Sequence, residues 1–211
     1  MRLLAISLSD IKRLKYQGRE EPTGICKEAV GHPVYATTEG LQGDAQADRK
    51  NHGGADKAVY AYAVENYRFW ERELGKSLPY GQFGENLALS GLTDDVVHIG
   101  DTFRIGPVEL QVTQPRVPCF KLGMRMEDKD FVGRFHYSGR VGFYLRVLKE
   151  GMLSVGDSVE RMQTDPNRLT IRDAMLALNN NPRQQEIIRQ ALDIPALSEA
   201  WRESLQKKLK L

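Results

Sequence analysis

QVTQPRVPCFKL, residues 111–122, begins with the alternation of a β-strand and is then interrupted by two prolines. Pro115 and Pro118 fix φ and remove two backbone donors, so the strand cannot continue as a paired ladder beyond them. We therefore expect a rigid extended loop that presents Cys119 at the end of this strand.

Cys119 lies between two cations, Arg116 and Lys121. We expect the pKa of a thiol in such surroundings to fall below its usual value, which favours the thiolate that attacks electrophiles and binds metals. A buried structural cysteine is the alternative, because free cysteine is among the most buried residue types. These residues alone leave both interpretations open.

The composition is that of an ordinary globular chain, with 41% apolar and 27% charged residues among 211 and a formal net charge of +2. This balance gives no broad basic field that would attract nucleic acid or a membrane surface. The N-terminal apolar run is too short for a signal peptide, and AVYAYAV at 58–64 is too short to span a bilayer. Two cysteines far apart in sequence fit a reducing compartment. We expect a cytoplasmic protein without membrane or nucleic-acid partners.

Short strands with glycine turns dominate the first 163 residues. VGFYLRVL at 141–148 is the strongest strand pattern, and VVHIGDTFRIG at 96–106 indicates a hairpin around Gly100 and Asp101. The predicted fold is mainly β with α, and residues 1–163 are predicted to form a β-barrel domain.

Inside this β-rich part, residues 121–137 are predicted to be partly helical, and a helix is predicted from Val64 to Leu74. Apolar and aromatic residues recur there at helical spacing, and Gly75 is a natural stop. Tyr67 and Trp70 lie on the apolar face, and we assign them to the hydrophobic core rather than to a cofactor site.

Residues 164–211 change to helical spacing and predict a second domain, a C-terminal three-helix appendage. Thr170 is the predicted N-cap of its first helix, and Asn181 followed by Pro182 is predicted to open the second. So small a unit rarely has a self-sufficient core, so we expect it to pack on the barrel or to form a homodimer. A helix-turn-helix role is disfavoured because the basic cluster lies at the chain end.

LQGDAQADRKNHGGADKAVYAY, residues 41–62, joins a polar, glycine-punctuated half to a β run. Gly53 and Gly54 allow the backbone to turn sharply or to approach a ligand closely. Potential cations surround this turn: Arg49, Lys50, His52 and Lys57.

YGQFGENLALSG, residues 80–91, places Gly84 and Asn86 just before a short apolar strand. Asn86 is suited either to bind a ligand or to cap the turn, and the sequence leaves both open. No GxxxxGK[ST], GxGxxG, HExxH or CxxC motif is present. The thiol of Cys119, His52 and the nearby cations together fit an anionic, phosphate-bearing ligand approached by a thiolate.

Four segments in order resemble the MOSC domain, a family named after the C-terminal domain of molybdenum cofactor sulfurase. They are LQGDAQADRKNHGGADKAVYAY, FGENL, IGDTFRIG and QPRVPCFKL, and the resemblance covers roughly residues 25–162. The helical tail resembles the 3-alpha domain that follows the MOSC domain in the YiiM-type bacterial proteins.

The resemblance implies a β-barrel in which Cys119 ligates the molybdenum of a pyranopterin cofactor. It also implies that His52, Gly53 and Gly54 and the FGEN segment, with Gly84 and Asn86, line the cofactor site. Cys119 and His52 are the candidate catalytic residues. By charge and position we expect cations to hold the cofactor phosphate: Arg116, Lys57 and Lys121, then Arg49, Arg134 and Arg140.

The implied activity is two-electron reduction of small N-hydroxylated compounds, such as 6-hydroxylaminopurine-type base analogues. The cofactor carries that chemistry, while the protein supplies binding and electrostatics. The sequence shows no flavin or iron–sulfur motif, so we expect a separate reductase to donate the electrons. Two alternatives stay open: a non-catalytic cofactor carrier or persulfide sulfur-transfer module, and a cysteine hydrolase that uses Cys119 and His52. The hydrolase is disfavoured because no acidic residue to orient the histidine is apparent.

Overall fold

A large β-sheet forms the frame of the protein in a computed structural model, which describes residues 1–16, 18–47 and 53–209. Within these residues the strands are β1 (Arg2–Leu8), β2 (Lys12–Tyr16), β3 (Arg19–Thr23), β4 (Glu28–Val30), β5 (Val34–Thr37), β6 (Gly40–Leu41), β7 (Val59–Ala63), β8 (Leu87–Ser90), β9 (Thr102–Ile105), β10 (Val108–Pro115), β11 (Phe143–Lys149), β12 (Gly151–Leu153) and β13 (Val159–Gln163).

The main sheet has eight strands in the order β13-β9-β10-β11-β7-β8-β1-β4 among the described residues. Its pairs are antiparallel except for β7 and β8, which run parallel because helix Val64–Leu74 returns the chain between them. β5 pairs with β6 and β12 in a small second sheet, and β2 with β3 forms a separate hairpin. The prediction of a mainly β fold with helices is confirmed.

The sheet that was predicted to form a barrel curls until β1 and the residues before β13 meet in one short contact region. β1 meets the residues just before β13 at an isolated bridge between Arg2 and Ser158. The N–H of Val159 donates to the Met1 carbonyl at 3.1 Å, and the N–H of Leu3 to the Asp157 carbonyl at 3.0 Å. No ladder of paired strands joins β1 to β13 within the described ranges. The architecture is a curled sheet with a short seam rather than a continuously hydrogen-bonded barrel.

The helices follow the predicted regions. They are α1 (Val64–Leu74), α2 (Phe120–Met126), α3 (Phe131–Tyr137), α4 (Ile171–Met175), α5 (Gln184–Leu192) and α6 (Glu199–Leu209), with 3-10 turns at Ala55–Lys57 and Leu176–Leu178. The predicted bounds of α1 are confirmed, and Tyr67 and Trp70 lie in the core as expected. The side chain of Thr170 accepts the N–H of Asp173, which confirms it as the N-cap of α4. Asn181 instead caps the turn before α5, where its side chain accepts the N–H of Arg183 at 2.9 Å.

The predicted hairpin around Gly100 and Asp101 is wrong. Residues 97–99 form no strand, and β9 turns instead into β10. Asp101 is fully buried, and its carboxylate accepts the N–H of His98 at 3.1 Å and that of Asp165 at 2.9 Å. Asp101 therefore ties this loop to the start of the helical part rather than turning a hairpin.

One hydrophobic core runs from the sheet into the C-terminal helices. Tyr62 and Phe83 from the β-rich part and Ile171, Ile188 and Leu205 from the helical part belong to the same buried cluster. The helical tail therefore packs on the sheet of its own chain. No helix in the described part of the chain combines the length and apolarity needed to cross a membrane.

Candidate functional site

A solvent-open cleft of about 590 Å³ lies beside the carboxyl end of β10. The structure brings six of the predicted site residues together in its walls: Lys57, Gly84, Asn86, Arg116, Cys119 and Lys121. Sequence reasoning missed six polar or aromatic wall residues: Thr23, Lys27, Asp44, Gln46, Tyr60 and Tyr144. The predicted convergence of the two loops with the thiol is therefore present, and the roles of the individual residues stay predictions.

Gly53 and Gly54 stand outside the group of residues that line the cleft. The Gly54 carbonyl accepts the N–H of Lys57 at 2.9 Å, so these glycines lead the chain into the turn that carries Lys57. Two predicted residues of the same segment, Arg49 and His52, lie outside the described residues.

The two further arginine candidates point to other surroundings. Arg134 pairs with Asp128 and lies over the Phe131 ring at 5.3 Å. Arg140 stacks on the Phe69 ring at 4.2 Å. Neither lines the cleft, so charge near the thiol in sequence was a poor guide for these two residues.

Cys119 sits at the junction of the strand and the helix that follows. β10 ends at Pro115 as predicted, residues 116–119 have no regular structure, and α2 begins at Phe120. Cys119 has an extended backbone with φ −125° and ψ 173°, and its carbonyl accepts the N–H of Leu122 at 2.9 Å. Its side chain is partly exposed and faces the cleft.

Arg116 is the most informative residue of the cleft. It is only 5% exposed, and its Nη1 is buried with no hydrogen-bond partner among the described residues. Its guanidinium lies 5.5 Å from the centre of the Tyr60 ring and 5.6 Å from that of Phe135. A buried cation without a paired anion is costly, because desolvation is not offset. The cleft is therefore suited to an anionic ligand that completes this guanidinium.

The aromatic side chains of the wall stay neutral. Burial raises the pKa of Tyr144, while the charge of Arg116 and a hydrogen bond from it act in the opposite direction. A thiolate at Cys119 would raise the same pKa, which places Tyr144 within electrostatic reach of both groups. Burial likewise raises the pKa of Tyr60, whose hydroxyl donates to the Val141 carbonyl at 2.7 Å.

A buried ion pair forms another part of the wall. The Nζ of Lys27 lies 2.5 and 2.6 Å from the two carboxylate oxygens of Asp44, and the side chains are 7% and 5% exposed. Burial lowers the pKa of Lys27, whereas the charges of Asp44 and Glu85 oppose that shift. The Asp44 carboxylate also accepts the N–H of Ser9 at 3.0 Å. The pair is neutral as a unit and adds no net charge to the cleft.

Lys121 is a second cation of the cleft with no carboxylate partner in the described part of the chain. Its Nζ donates to the Pro22 carbonyl at 2.9 Å, which links α2 to the β2–β3 hairpin. Arg116 and Lys121 therefore give this part of the cleft a positive potential, which attracts anions.

Asn86, for which the sequence left two roles open, is engaged within the protein. Its Oδ1 accepts the N–H of Tyr60 at 3.1 Å, and its Nδ2 donates to Asp44 at 2.9 Å. These bonds tie β7 to the loop of residues 41–47. The geometry favours the structural role, and ligand binding by Asn86 stays a prediction.

Two glycines let the cleft walls approach one another. A Cβ at Gly24 would lie 2.1 Å from the Ala45 carbonyl oxygen, well inside contact distance. At Gly84, where φ is +84°, a Cβ would lie 2.7 Å from Cγ1 of Ile25. Gly84 therefore serves the close packing of the wall, whatever ligand the cleft holds.

The donor set of the cleft offers one soft ligand. Cys119 is the thiol that faces it, whereas Cys26 is buried and does not line it. Among the described residues, no group of three or more His, Cys, Asp or Glu side chains is placed to hold a metal ion. One thiol beside the cations Arg116 and Lys121 fits a ligand that combines a soft metal with an anionic group.

Two family models match this sequence. Residues 48–160 match the MOSC domain, and residues 169–210 match the YiiM-like, 3-alpha helix domain. The first match includes all ten site residues that were predicted from the sequence: Arg49, His52, Gly53, Gly54, Lys57, Gly84, Asn86, Arg116, Cys119 and Lys121.

Individual proteins show the same similarity. The YflK protein of Bacillus subtilis (strain 168) is 39% identical over 206 residues, which cover 98% of this chain and 93% of that protein. A protein of Gibberella moniliformis (strain M3125 / FGSC 7600) named reductase is 35% identical over 150 residues, 69% of this chain and 27% of that protein. The crystal structure of YiiM from Geobacillus stearothermophilus shares 32% identity, with a TM-score of 0.82 over 99% of this chain and 98% of that chain.

Proposed function

This chain belongs to the MOSC domain family, and on that basis we propose that its cleft binds a molybdenum–pyranopterin cofactor and that the protein reduces small N-hydroxylated compounds. MOSC domains are associated with binding of the molybdenum cofactor. The observation that carries the proposal is the buried guanidinium of Arg116, whose Nη1 has no hydrogen-bond partner among the described residues, in the cleft that Cys119 faces.

The residues of the cleft fit both the metal and the phosphate group of such a cofactor. The thiolate of Cys119 is a soft donor suited to molybdenum, and metal binding requires the deprotonated thiol. Arg116 and Lys121 supply charge-assisted hydrogen bonds for the anionic phosphate group. Lys57 lines the same cleft and is a third candidate for this contact.

The chain's own residues bind and orient the reactants. Tyr60 and Tyr144, kept neutral by burial, form an uncharged aromatic wall beside Arg116. The Lys27–Asp44 pair closes another side without adding net charge. The cofactor, when bound, supplies the two-electron chemistry that these side chains lack.

The proposed reaction takes up two electrons and two protons. The N–O bond of R–NH–OH breaks, and the products are R–NH₂ and water. The similarity to the Gibberella moniliformis protein named reductase supports an oxidoreductase. We propose that a separate electron-donating reductase supplies the electrons.

Two cysteine variants test this function with a matched control. Elemental analysis of protein from a cofactor-competent host should find one molybdenum per chain in the wild type and in Cys26→Ala, because Cys26 does not line the cleft. Cys119→Ala should lose both the metal and the reduction of 6-hydroxylaminopurine by an artificial electron donor. Metal and turnover retained in Cys119→Ala would refute the ligand assignment. Metal without turnover in the wild type would indicate a cofactor carrier instead.

A further inference from the structure

The two chain segments that bring cations to the cleft are joined behind it. Thr113, in β10, donates its hydroxyl to the Asp56 carbonyl at 2.6 Å. Thr113 precedes Arg116 by three residues, and Asp56 is the neighbour of Lys57. A displacement of either segment therefore moves the other.

Ser198, which precedes the last helix, and Glu199, the first residue of that helix, hold this junction from behind. The N–H of Ser198 donates to the Thr113 carbonyl at 3.2 Å, and its hydroxyl donates to Oε1 of Gln114 at 2.6 Å. The N–H of Glu199 donates to the carboxylate of Asp56 at 3.0 Å. Ser198 and Gln114 are both buried, so water cannot replace the bond between them.

An arginine completes the connection between the helical part and the sheet. Arg146 in β11 lies 2.6 Å from the Asp56 carboxylate and donates to the Ala196 carbonyl at 3.3 Å. The carboxylate of Asp56 therefore accepts one bond from the sheet, donated by Arg146, and one from the helical part, donated by Glu199. Its side chain is 30% exposed.

We infer that Ser198 and Asp56 are positioning residues through which the C-terminal helices fix the geometry of the cleft. Ser198 holds Gln114 and thereby the chain that leads to Arg116 and Cys119. Asp56 holds the turn that carries Lys57. The helical part is then a structural component of the binding site rather than an appendage. The inference takes the cleft to be the proposed ligand site, but its test does not require the cofactor.

The matched control is the other capping hydroxyl of the helical part. Ser198 accepts the N–H of Trp201 at 3.2 Å, as Thr170 accepts that of Asp173 at 3.0 Å. Ser198→Ala and Thr170→Val therefore each remove one cap, which costs similar stability. Only Ser198→Ala also removes a bond to the segment that leads to the thiol.

The readout is the rate at which iodoacetamide alkylates Cys119 in cofactor-free protein, followed by mass spectrometry of the peptide that contains it. We expect Ser198→Ala to accelerate alkylation roughly tenfold, because loss of one buried hydrogen bond favours local opening by about that factor. Asp56→Ala, a change at a partly exposed side chain, should act in the same direction. Thr170→Val should leave the rate unchanged at a similar Tm.

Equal alkylation rates in all four proteins would overturn the inference. If Ser198→Ala does not fold, the comparison of Asp56→Ala with Thr170→Val decides in the same way. Accelerated alkylation together with a wild type that binds no molybdenum would refute the proposed function and leave the positioning role intact.

Discussion

Arg116→Met should change stability and ligand binding in opposite directions. Methionine keeps the apolar stem and removes a guanidinium whose Nη1 has no hydrogen-bond partner within the described residues. Desolvation of a buried guanidinium without a paired anion costs several kcal/mol, whereas the two cation–π contacts and the hydrogen bond to Tyr144 together return about 2–4 kcal/mol. We expect the ligand-free variant to gain roughly 1 kcal/mol in free energy of unfolding, which raises Tm by about 2–4 °C for a chain of this size.

Binding should weaken in the same variant. A charge-assisted hydrogen bond to a phosphate oxygen contributes about 1.5–3 kcal/mol, so the dissociation constant of the cofactor should rise about 10- to 150-fold. The assay is thermal unfolding of ligand-free protein together with retention of molybdenum at limiting cofactor. Opposite signs in the two measurements are the signature of a cation that is placed for a ligand.

Lys121→Met is the control. Lys121 lines the same cleft, but its Nζ already donates to the Pro22 carbonyl at 2.9 Å. This variant should lose binding without any gain in stability. A lower Tm for ligand-free Arg116→Met, with binding unchanged, would show that the Arg116 guanidinium holds the fold together and would refute the reasoning.

Three further predictions concern two residues of the cleft walls, Gly24 and Lys27, and the buried carboxyl group of Glu85. Gly24→Ala should lower the free energy of unfolding by about 1–3 kcal/mol in urea titrations, because its Cβ would lie 2.1 Å from the Ala45 carbonyl oxygen. An unchanged free energy of unfolding would mean that the backbone around Gly24 can shift to accept the added methyl group. Lys27→Met should cost about 3–5 kcal/mol by the same assay, because it leaves the Asp44 charge buried and unpaired, and a near-neutral result would contradict the ion pair. Burial raises the pKa of Glu85 above 4.5, so the folded state binds this proton more tightly than the unfolded state. Wild-type stability should therefore fall as the pH rises from 4.5 through the raised value, and Glu85→Gln should lack that loss; parallel pH profiles would refute it.

Local chemistry explains what the sequence predicted well. The bounds of α1 follow from a helical repeat and a glycine stop, both contained within one short window. The end of β10 at Pro115 follows from a covalent property of proline. Cys119 and Arg116 line the same cleft because both lie on the few residues that follow that strand.

Long-range pairing explains what the sequence did not predict. Lys27 and Asp44 are separate polar residues in sequence, and only the fold brings them together in one wall. Tyr60 and Tyr144 stand in apolar strands, where their pattern is that of core residues. Asp101 has the neighbours of a hairpin turn, yet its carboxylate bonds to Asp165, far along the chain.

Among the described residues, the surroundings of Cys119 offer no histidine that could serve as a base for a nucleophilic thiol. A nucleophilic thiol needs a base within hydrogen-bond reach. The described histidines have partners elsewhere, such as Asp101 for His98 and Asn179 for His136, and none of them lines the cleft. A hydrolase mechanism would thus depend on His52, which lies outside the described residues.

The chain on both sides of the thiol is held in place. The strand that leads to Cys119 is bonded to Ser198 through Gln114, and the helix that follows is bonded to the β2–β3 hairpin through Lys121. Such fixation suits an atom that must stay at one position in a coordination sphere, since ligand geometry tolerates little movement. In the same cleft, the buried Nη1 of Arg116 has no hydrogen-bond partner in the part of the chain that the structure describes. A thiol held in one position, next to a buried arginine that can still donate a hydrogen bond, favours a resident anionic metal cofactor over a transient covalent intermediate.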